Sequence, residues 1–233
     1  MNAPYSSQPL SSQPASSQHA ANAQTLGPIY LVLDPDMCGG EQGCIETVKA
    51  ALQGGVACIQ LRAPGWKKRR LLELANALLA LTRPAKVPFL LDDEVDVALA
   101  CGADGVHVGQ RDLPVQTVRD LMGPGALIGL SASNSAQIQQ ADVAAADYLG
   151  VGPVFATQTK TDAAPVLSPE GLATLKALTE KPIVAIGGIN HANIGVVAAT
   201  GVSAAAVVSA ICGQPNPLAS TQQLAAAWQA GVK

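Results

Sequence analysis

From Ile29 onward the chain repeats one unit: a short apolar run, a cluster of turn residues, then a stretch with helical spacing. Eight such runs stand out: Ile29–Leu33, Ala57–Leu61, Val87–Leu91, Gly105–Val108, Leu127–Leu130, Tyr148–Val151, Pro182–Ile186 and Ala204–Val208. Between them lie helical candidates over Trp66–Leu81, Leu113–Met122, Ser135–Ala145, Pro169–Leu178, His191–Ala199 and Leu218–Trp228. Strands alternating with helices make βαβ units and a parallel sheet. Runs that are apolar throughout predict strands covered on both faces. Eight units in the residues after Ile29 fit a compact α/β fold, the (β/α)8 TIM barrel. An open doubly wound sheet is the competing architecture. It favours a glycine-rich turn after its first strand, whereas Asp34, Pro35 and Asp36 follow this one.

The 28–233 segment is therefore expected to be a single barrel domain. Residues 1–27 are mostly Ser, Gln, Ala, Pro and Asn. Such a segment buries too little to offset its ordering entropy, and it is expected to be a disordered tail without a signal peptide. Only 13% of the chain is charged, the net charge is −3 and aromatics make up 3%. These values argue against a nucleic-acid partner. No apolar run reaches membrane-spanning length. The five cysteines, Cys38, Cys44, Cys58, Cys101 and Cys212, contain no CxxC pair. Their odd number and small apolar neighbours predict free thiols in a reducing, cytoplasmic setting. A homo-oligomer is compatible with the sequence.

A barrel of this kind carries its site at the C-terminal strand ends. Polar residues gather there: Gln60 and Arg62; Asp92, Asp93 and Glu94; His107, Gln110 and Asp112; Ser131, Ser133 and Asn134; Thr157, Gln158, Thr159 and Lys160; Ser209. Gln60 and Arg62, two apart on an extended segment, share one face. Any single Ser, Asn or Asp in such a set is as readily a helix cap, but their convergence with Arg and Lys points to a phosphate-and-metal site. Four acids crowd FLLDDEVD, residues 89–96. A hard cation would offset Asp92 and Asp93, with Asp112 as a second-loop carboxylate. Asp96 suits a first helical turn. Gly187-Gly188 before a helical run is a candidate phosphate cradle, with a second at Val208-Ser209. The loop from Phe155 to Pro165 suits a phosphate site or a lid. His107, within an apolar strand, reads as an inward-packed residue with one hydrogen bond as readily as a catalytic one.

The stretches GADGVHVGQRDLP (102–114), YLGVGPVFATQTK (148–160), VAIGGIN (184–190) and AVVSAI (206–211), with QLR at 60–62 and DDEVDVALA at 92–100, resemble the thiamine-phosphate synthase family. The likeness runs from Ile29 to the last helix. It implies a (β/α)8 barrel and a Mg²⁺-dependent transferase. That enzyme joins hydroxymethylpyrimidine diphosphate to a thiazole phosphate, both small phosphorylated heterocycles, and releases pyrophosphate. By this resemblance Asp93 and Asp112 hold Mg²⁺. Gln60 meets the pyrimidine. Arg62 and Lys160 grip the diphosphate, with Ser131 nearby and Asp92 among the substrate-binding residues. Thr157, Thr159, Gly188, Val208 and Ser209 frame the thiazole phosphate.

Several positions depart from the pattern. Pro64 stands where the family carries Lys in QLRxK, and Asp92-Asp93-Glu94 replaces Asn-Asp-Arg. Ser133 stands for a histidine, Ala156 for a proline and Ser203 for an acid. These changes predict a pocket with less positive charge and a weaker grip on the diphosphate. Two alternatives follow: a thiazole tautomerase-like isomerase, and a non-catalytic phosphate-ligand-binding barrel.

Overall fold

The computed structural model describes residues 26–157 and 165–232. Eight parallel strands close on themselves in sequence order. They are β1 Ile29–Leu33, β2 Cys58–Leu61, β3 Phe89–Asp92, β4 Gly105–Val108, β5 Leu127–Ala132, β6 Tyr148–Val151, β7 Ile183–Ile186 and β8 Ala204–Val207. Closure is made by β1 against β8, with Tyr30 opposite Ala206. The helices in chain order are α1 Glu41–Gln53, α2 Lys68–Ala85, α3 Val95–Cys101, α4 Val115–Met122, α5 Ser135–Ile138, α6 Ser168–Lys176, α7 Ile194–Ala198 and α8 Pro217–Gly231. A 3-10 turn covers Ala141–Ala145. No helix among the described residues is long and apolar enough to cross a membrane.

Period-2 alternation sorts each strand into two environments. One set of side chains, including Leu31, Ile59, Phe89, Val106, Ile128 and Leu149, packs outward under the helices. Fully burying each such side chain contributes about 1.5–3 kcal/mol. The other set fills the barrel interior: Tyr30, Val32, Cys58, Leu90, Leu127, Tyr148, Val184, Ala204 and Ala206. Leu26, which composition assigns to the tail, is fully buried in this inner group.

The inner layer pairs large residues with small ones. Tyr30 lies beside the alanines of β8. Gly129 is the register partner of both His107 and Tyr148. A Cβ at Gly129 would collide with both rings, and one at Gly150 would stand 2.7 Å from His107 Cε1. Glycine at these two positions makes the room that lets polar rings enter the barrel.

Where element ends differ from the periodicity, side-chain hydrogen bonds explain the difference. The helix expected over Ser135–Ala145 stops at Ile138, and Gln140 turns to donate to Gln110 Oε1 at 2.9 Å. The helix expected from His191 begins only at Ile194. Asn193 Oδ1 accepts from Asn190 N at 2.8 Å, and Asn190 Oδ1 accepts from Ala192 N at 2.9 Å, holding a turn there instead.

Candidate active site at the barrel mouth

The inner ends of β2 and β3 bring Gln60, Arg62 and Asp92 together. Gln60 Nε2 donates to Asp92 Oδ1 at 2.5 Å, and Arg62 Nε lies 3.2 Å from Asp92 Oδ2. Asp92 is thus paired, and its two oxygens orient two neighbours at once. Arg62 Nε engages that carboxylate, and the quarter-exposed guanidinium faces the mouth as a planar donor group suited to an anion.

A polar relay runs inward from this cluster. Tyr30 Oη donates to Gln60 Oε1 at 3.1 Å and lies 2.9 Å from Tyr148 Oη. Tyr148 Oη lies 3.0 Å from His107 Nδ1, and His107 Nε2 lies 2.9 Å from Ser131 Oγ. The directions follow from Asp92. Its carboxylate accepts only, so the Gln60 amide nitrogen faces it and the amide oxygen faces Tyr30. Tyr30 has one hydroxyl proton, directed at Gln60, so Tyr148 donates to Tyr30. Tyr148 therefore accepts from His107 Nδ1, and in the neutral tautomer that carries this proton Nε2 accepts from Ser131 Oγ. Burial pushes the phenols of both Tyr30 and Tyr148 well above their ordinary range, which keeps them protonated donors.

His107 thus makes two inward hydrogen bonds, where one was expected. Replacing Tyr148 with phenylalanine is expected to leave His107 Nδ1 without its hydroxyl partner and to destabilise the fold by about 1–3 kcal/mol. Urea denaturation checks this; a loss below about 0.5 kcal/mol would mean the relay contributes nothing to stability.

The acidic cluster resolves into separate roles. Asp93 is exposed, sits at φ 61 and donates its N–H to His107 O at 2.8 Å. Asp tolerates this left-handed backbone better than most side chains do. Glu94 pairs with Lys68 at the start of α2 (3.1 Å), and so does Asp96 (2.6 Å). These two acids are therefore offset by a lysine on the neighbouring helix. The exposed Asp112 carboxylate accepts from Gly109 N at 2.8 Å. No group of three or more His, Cys, Asp or Glu among the described residues forms a metal cage.

The remaining strand ends divide between site and scaffold. Ser131, at the relay's end, has its carbonyl bound by Gln110 Nε2 at 2.6 Å. Asn134 is a helix cap, accepting from Gln137 N at 3.0 Å, and the Ser133 hydroxyl lies 3.0 Å from Gln137 Oε1. Gly187 and Gly188 have φ 105 and 64, and a Cβ on either would meet the 153–156 loop at 2.5 Å. The glycine pair lets the β6 and β7 loops pack together. It does not open a helix directly, because α7 begins at Ile194. Val208 and Ser209 begin the turn after β8, where Gln214 Nε2 binds Ser209 O at 2.7 Å. Thr157 is described; Gln158, Thr159 and Lys160 lie outside the described residues. Sequence reasoning missed Tyr30 and Tyr148. Their signal was a tyrosine at an inward strand position with small residues as register partners.

The family model for thiamine monophosphate synthase matches residues 29–211. A thiamine-phosphate synthase of Laribacter hongkongensis is 57% identical over 196 residues, 84% of this chain and 92% of that protein. One of Moorella thermoacetica is 42% identical over 84% of this chain and 93% of its own length. Among solved structures, thiamine phosphate pyrophosphorylase from Pyrococcus furiosus superposes with a TM-score of 0.81 at 34% identity. That superposition covers 91% of this chain and all of that one.

Proposed function

The chain belongs to the thiamine-phosphate synthase family, and we propose that its barrel mouth joins hydroxymethylpyrimidine diphosphate to a thiazole phosphate with release of pyrophosphate. The observation that carries this reading is the extent of the family match. It starts at the first residue of β1 and ends beyond β8, so all eight strand ends fall within it. The 57% identity to a synthase favours this reaction over a tautomerase or a non-catalytic barrel.

In this reading Arg62, oriented by Asp92, directs its terminal nitrogens at the diphosphate, and Lys160 joins it by the family motif. Charge that grows on the leaving group meets preorganised positive groups. Gln60 is locked by Tyr30 and Asp92 with its amide in one orientation, which suits reading a pyrimidine edge. Ser131 Oγ, 2.9 Å from His107 Nε2, stands at the mouth end of the relay, beside the diphosphate. Thr157, Thr159, Gly188, Val208 and Ser209 frame the thiazole phosphate. The reaction is dissociative: the pyrimidine-methyl cation forms as pyrophosphate leaves, and the thiazole nitrogen captures it. Apolar walls from Ile186 and Val208 limit water near that cation.

Asp93 and Asp112 are the residues that would hold Mg²⁺. Two exposed carboxylates with room for waters and substrate phosphates fit this ion, which rarely uses an all-protein cage. When bound it would neutralise charge on the diphosphate. Asp93→Ala is expected to lower thiamine phosphate formation by about 100-fold or more, while thiazole phosphate binding stays unchanged. Product chromatography and calorimetry read the two quantities. Full turnover in the variant would remove Asp93 from the metal site, and no turnover in the parent protein would overturn the synthase reading.

A further inference from the structure

Three of the five cysteines converge beside the mouth. Cys38 lies in the β1–α1 loop, Cys44 in the first turn of α1 and Cys212 in the β8–α8 loop. The two loops touch at Met37 and Gly213, where a Cβ on Gly213 would stand 2.9 Å from Met37 O. That contact places Cys38 and Cys212, each adjacent to one of these residues, side by side. The Cys38 thiol neighbours those of Cys212 and Cys44, Thr47 and the Gly213 N–H, while Cys212 Sγ donates to Val32 O at 3.7 Å. Cys44 and Cys212 are buried, whereas Cys38 is partly exposed between exposed Met37 and Gly39.

This surrounding divides the chemistry unevenly. Hydrogen bonds from Cys212, then Cys44, draw the Cys38 pKa well below the ordinary thiol range, against the opposing effect of burial. Its contact with Cys38, together with burial, pushes Cys212 in the other direction. Cys38 is thus the more exposed and more acidic sulfur, and Cys212 is a sheltered thiol beside it that can resolve it.

We propose that Cys38 and Cys212 form a peroxide-sensitive dithiol site whose disulfide fixes the β8–α8 loop against the β1–α1 loop. The Cys38 sulfur attacks one oxygen of a hydroperoxide, the O–O bond breaks, and Cys38 becomes a sulfenic acid as an alcohol or water leaves. The Cys212 sulfur then attacks the Cys38 sulfur. The S–S bond forms, the S–O bond breaks, and water departs with the Cys212 proton. Two thiols lose two electrons and the peroxide gains them. The same loop carries Val208 and Ser209, and Cys212 N is bonded to Val208 O at 2.8 Å. The bridge therefore stiffens the segment assigned above to the thiazole phosphate, a consequence that rests on that assignment.

The test treats the reduced full-length chain with a small excess of hydrogen peroxide. Free thiols should fall from five to three, a non-reducing peptide map should join Cys38 to Cys212, and a dithiol reductant should reverse both. Cys212→Ser should instead leave a Cys38 sulfenic acid that a dimedone-type reagent labels. Five retained thiols, or a bridge from Cys38 to Cys44, would overturn the site. Thiazole phosphate affinity should fall about tenfold on oxidation, a change of about 1.4 kcal/mol. An unchanged affinity in the bridged protein would overturn the effect on the loop. Turnover of the reduced protein, measured separately, judges the synthase reading without touching the thiol chemistry.

Discussion

Asp147→Ala is expected to lower the stability of the fold by about 3–5 kcal/mol. Asp147 precedes β6 on the face of the barrel opposite the mouth, and its side chain is fully buried. One oxygen accepts from Arg119 Nη2 at 2.7 Å and from Ile128 N at 2.7 Å. Arg119 is itself only 11% exposed and also ties the carbonyls of Gly123, Ala126 and Ala145. Removing the carboxylate leaves a nearly buried guanidinium without its countercharge and an N–H of β5 without its acceptor. Asp147→Asn should cost less, because an amide oxygen can still serve Ile128. Urea denaturation, with an unchanged dependence on denaturant, is the measurement. A loss below about 1 kcal/mol for the alanine variant would show that water replaces the pair without penalty.

The same residue explains a repetition in the sequence. Asp104 precedes β4 as Asp147 precedes β6, and each makes a reciprocal pair with the preceding odd-numbered strand. Asp104 N donates to Phe89 O while Asp104 Oδ2 accepts from Phe89 N. Asp147 does the same with Ile128. Ser203 keeps the backbone half of this arrangement, with its N–H on Ile183 O.

The strands were legible because a fully covered parallel strand is apolar along its length, and this chain punctuates each one with turn residues. Two helices escaped the list of candidates for a physical reason. The buried stripe of α1 is Cys44, Thr47, Val48 and Ala51, small or polar groups that give little amphipathic contrast. The seven residues of α3 are apolar except for Asp96, so their period is indistinct.

The candidate site was legible as charges and turns at or after the C-terminal ends of β2, β3 and β4, at Arg62, Asp92, Asp93 and Asp112. It was hidden where polar groups sit at apolar positions. Tyr30 and Tyr148 read as core, and only the closed barrel brings residues 118 positions apart into hydrogen-bond contact. Glu94 shows the opposite failure. Its charge suggested a less positive pocket, yet its partner, Lys68, lies 26 residues earlier on α2, a pairing that periodicity does not reveal.

Arg62 tests that electrostatic picture most directly. Arg62→Ala is expected to reduce the rate of thiamine phosphate formation by about 100- to 1,000-fold, the scale for removing one preorganised group from a developing anion. Most of the loss should fall on kcat, because charge on the leaving diphosphate is greatest in the transition state. Arg62→Lys should recover only part of it. An ammonium restores charge, but it lacks the planar fork that can serve Asp92 and a phosphate at once. Asp92→Asn gives the complementary result. The amide still accepts from one neighbour, so Gln60 or Arg62 stays oriented, and the guanidinium loses a carboxylate that competes with the diphosphate. Diphosphate affinity should therefore rise in that variant even if kcat falls. Steady-state kinetics on the three variants separate these effects. A loss under about threefold in Arg62→Ala would mean that the diphosphate is held elsewhere. A fall in diphosphate affinity with Asp92→Asn would mean that Asp92 acts chiefly by aiming Arg62, with its competing charge the smaller influence.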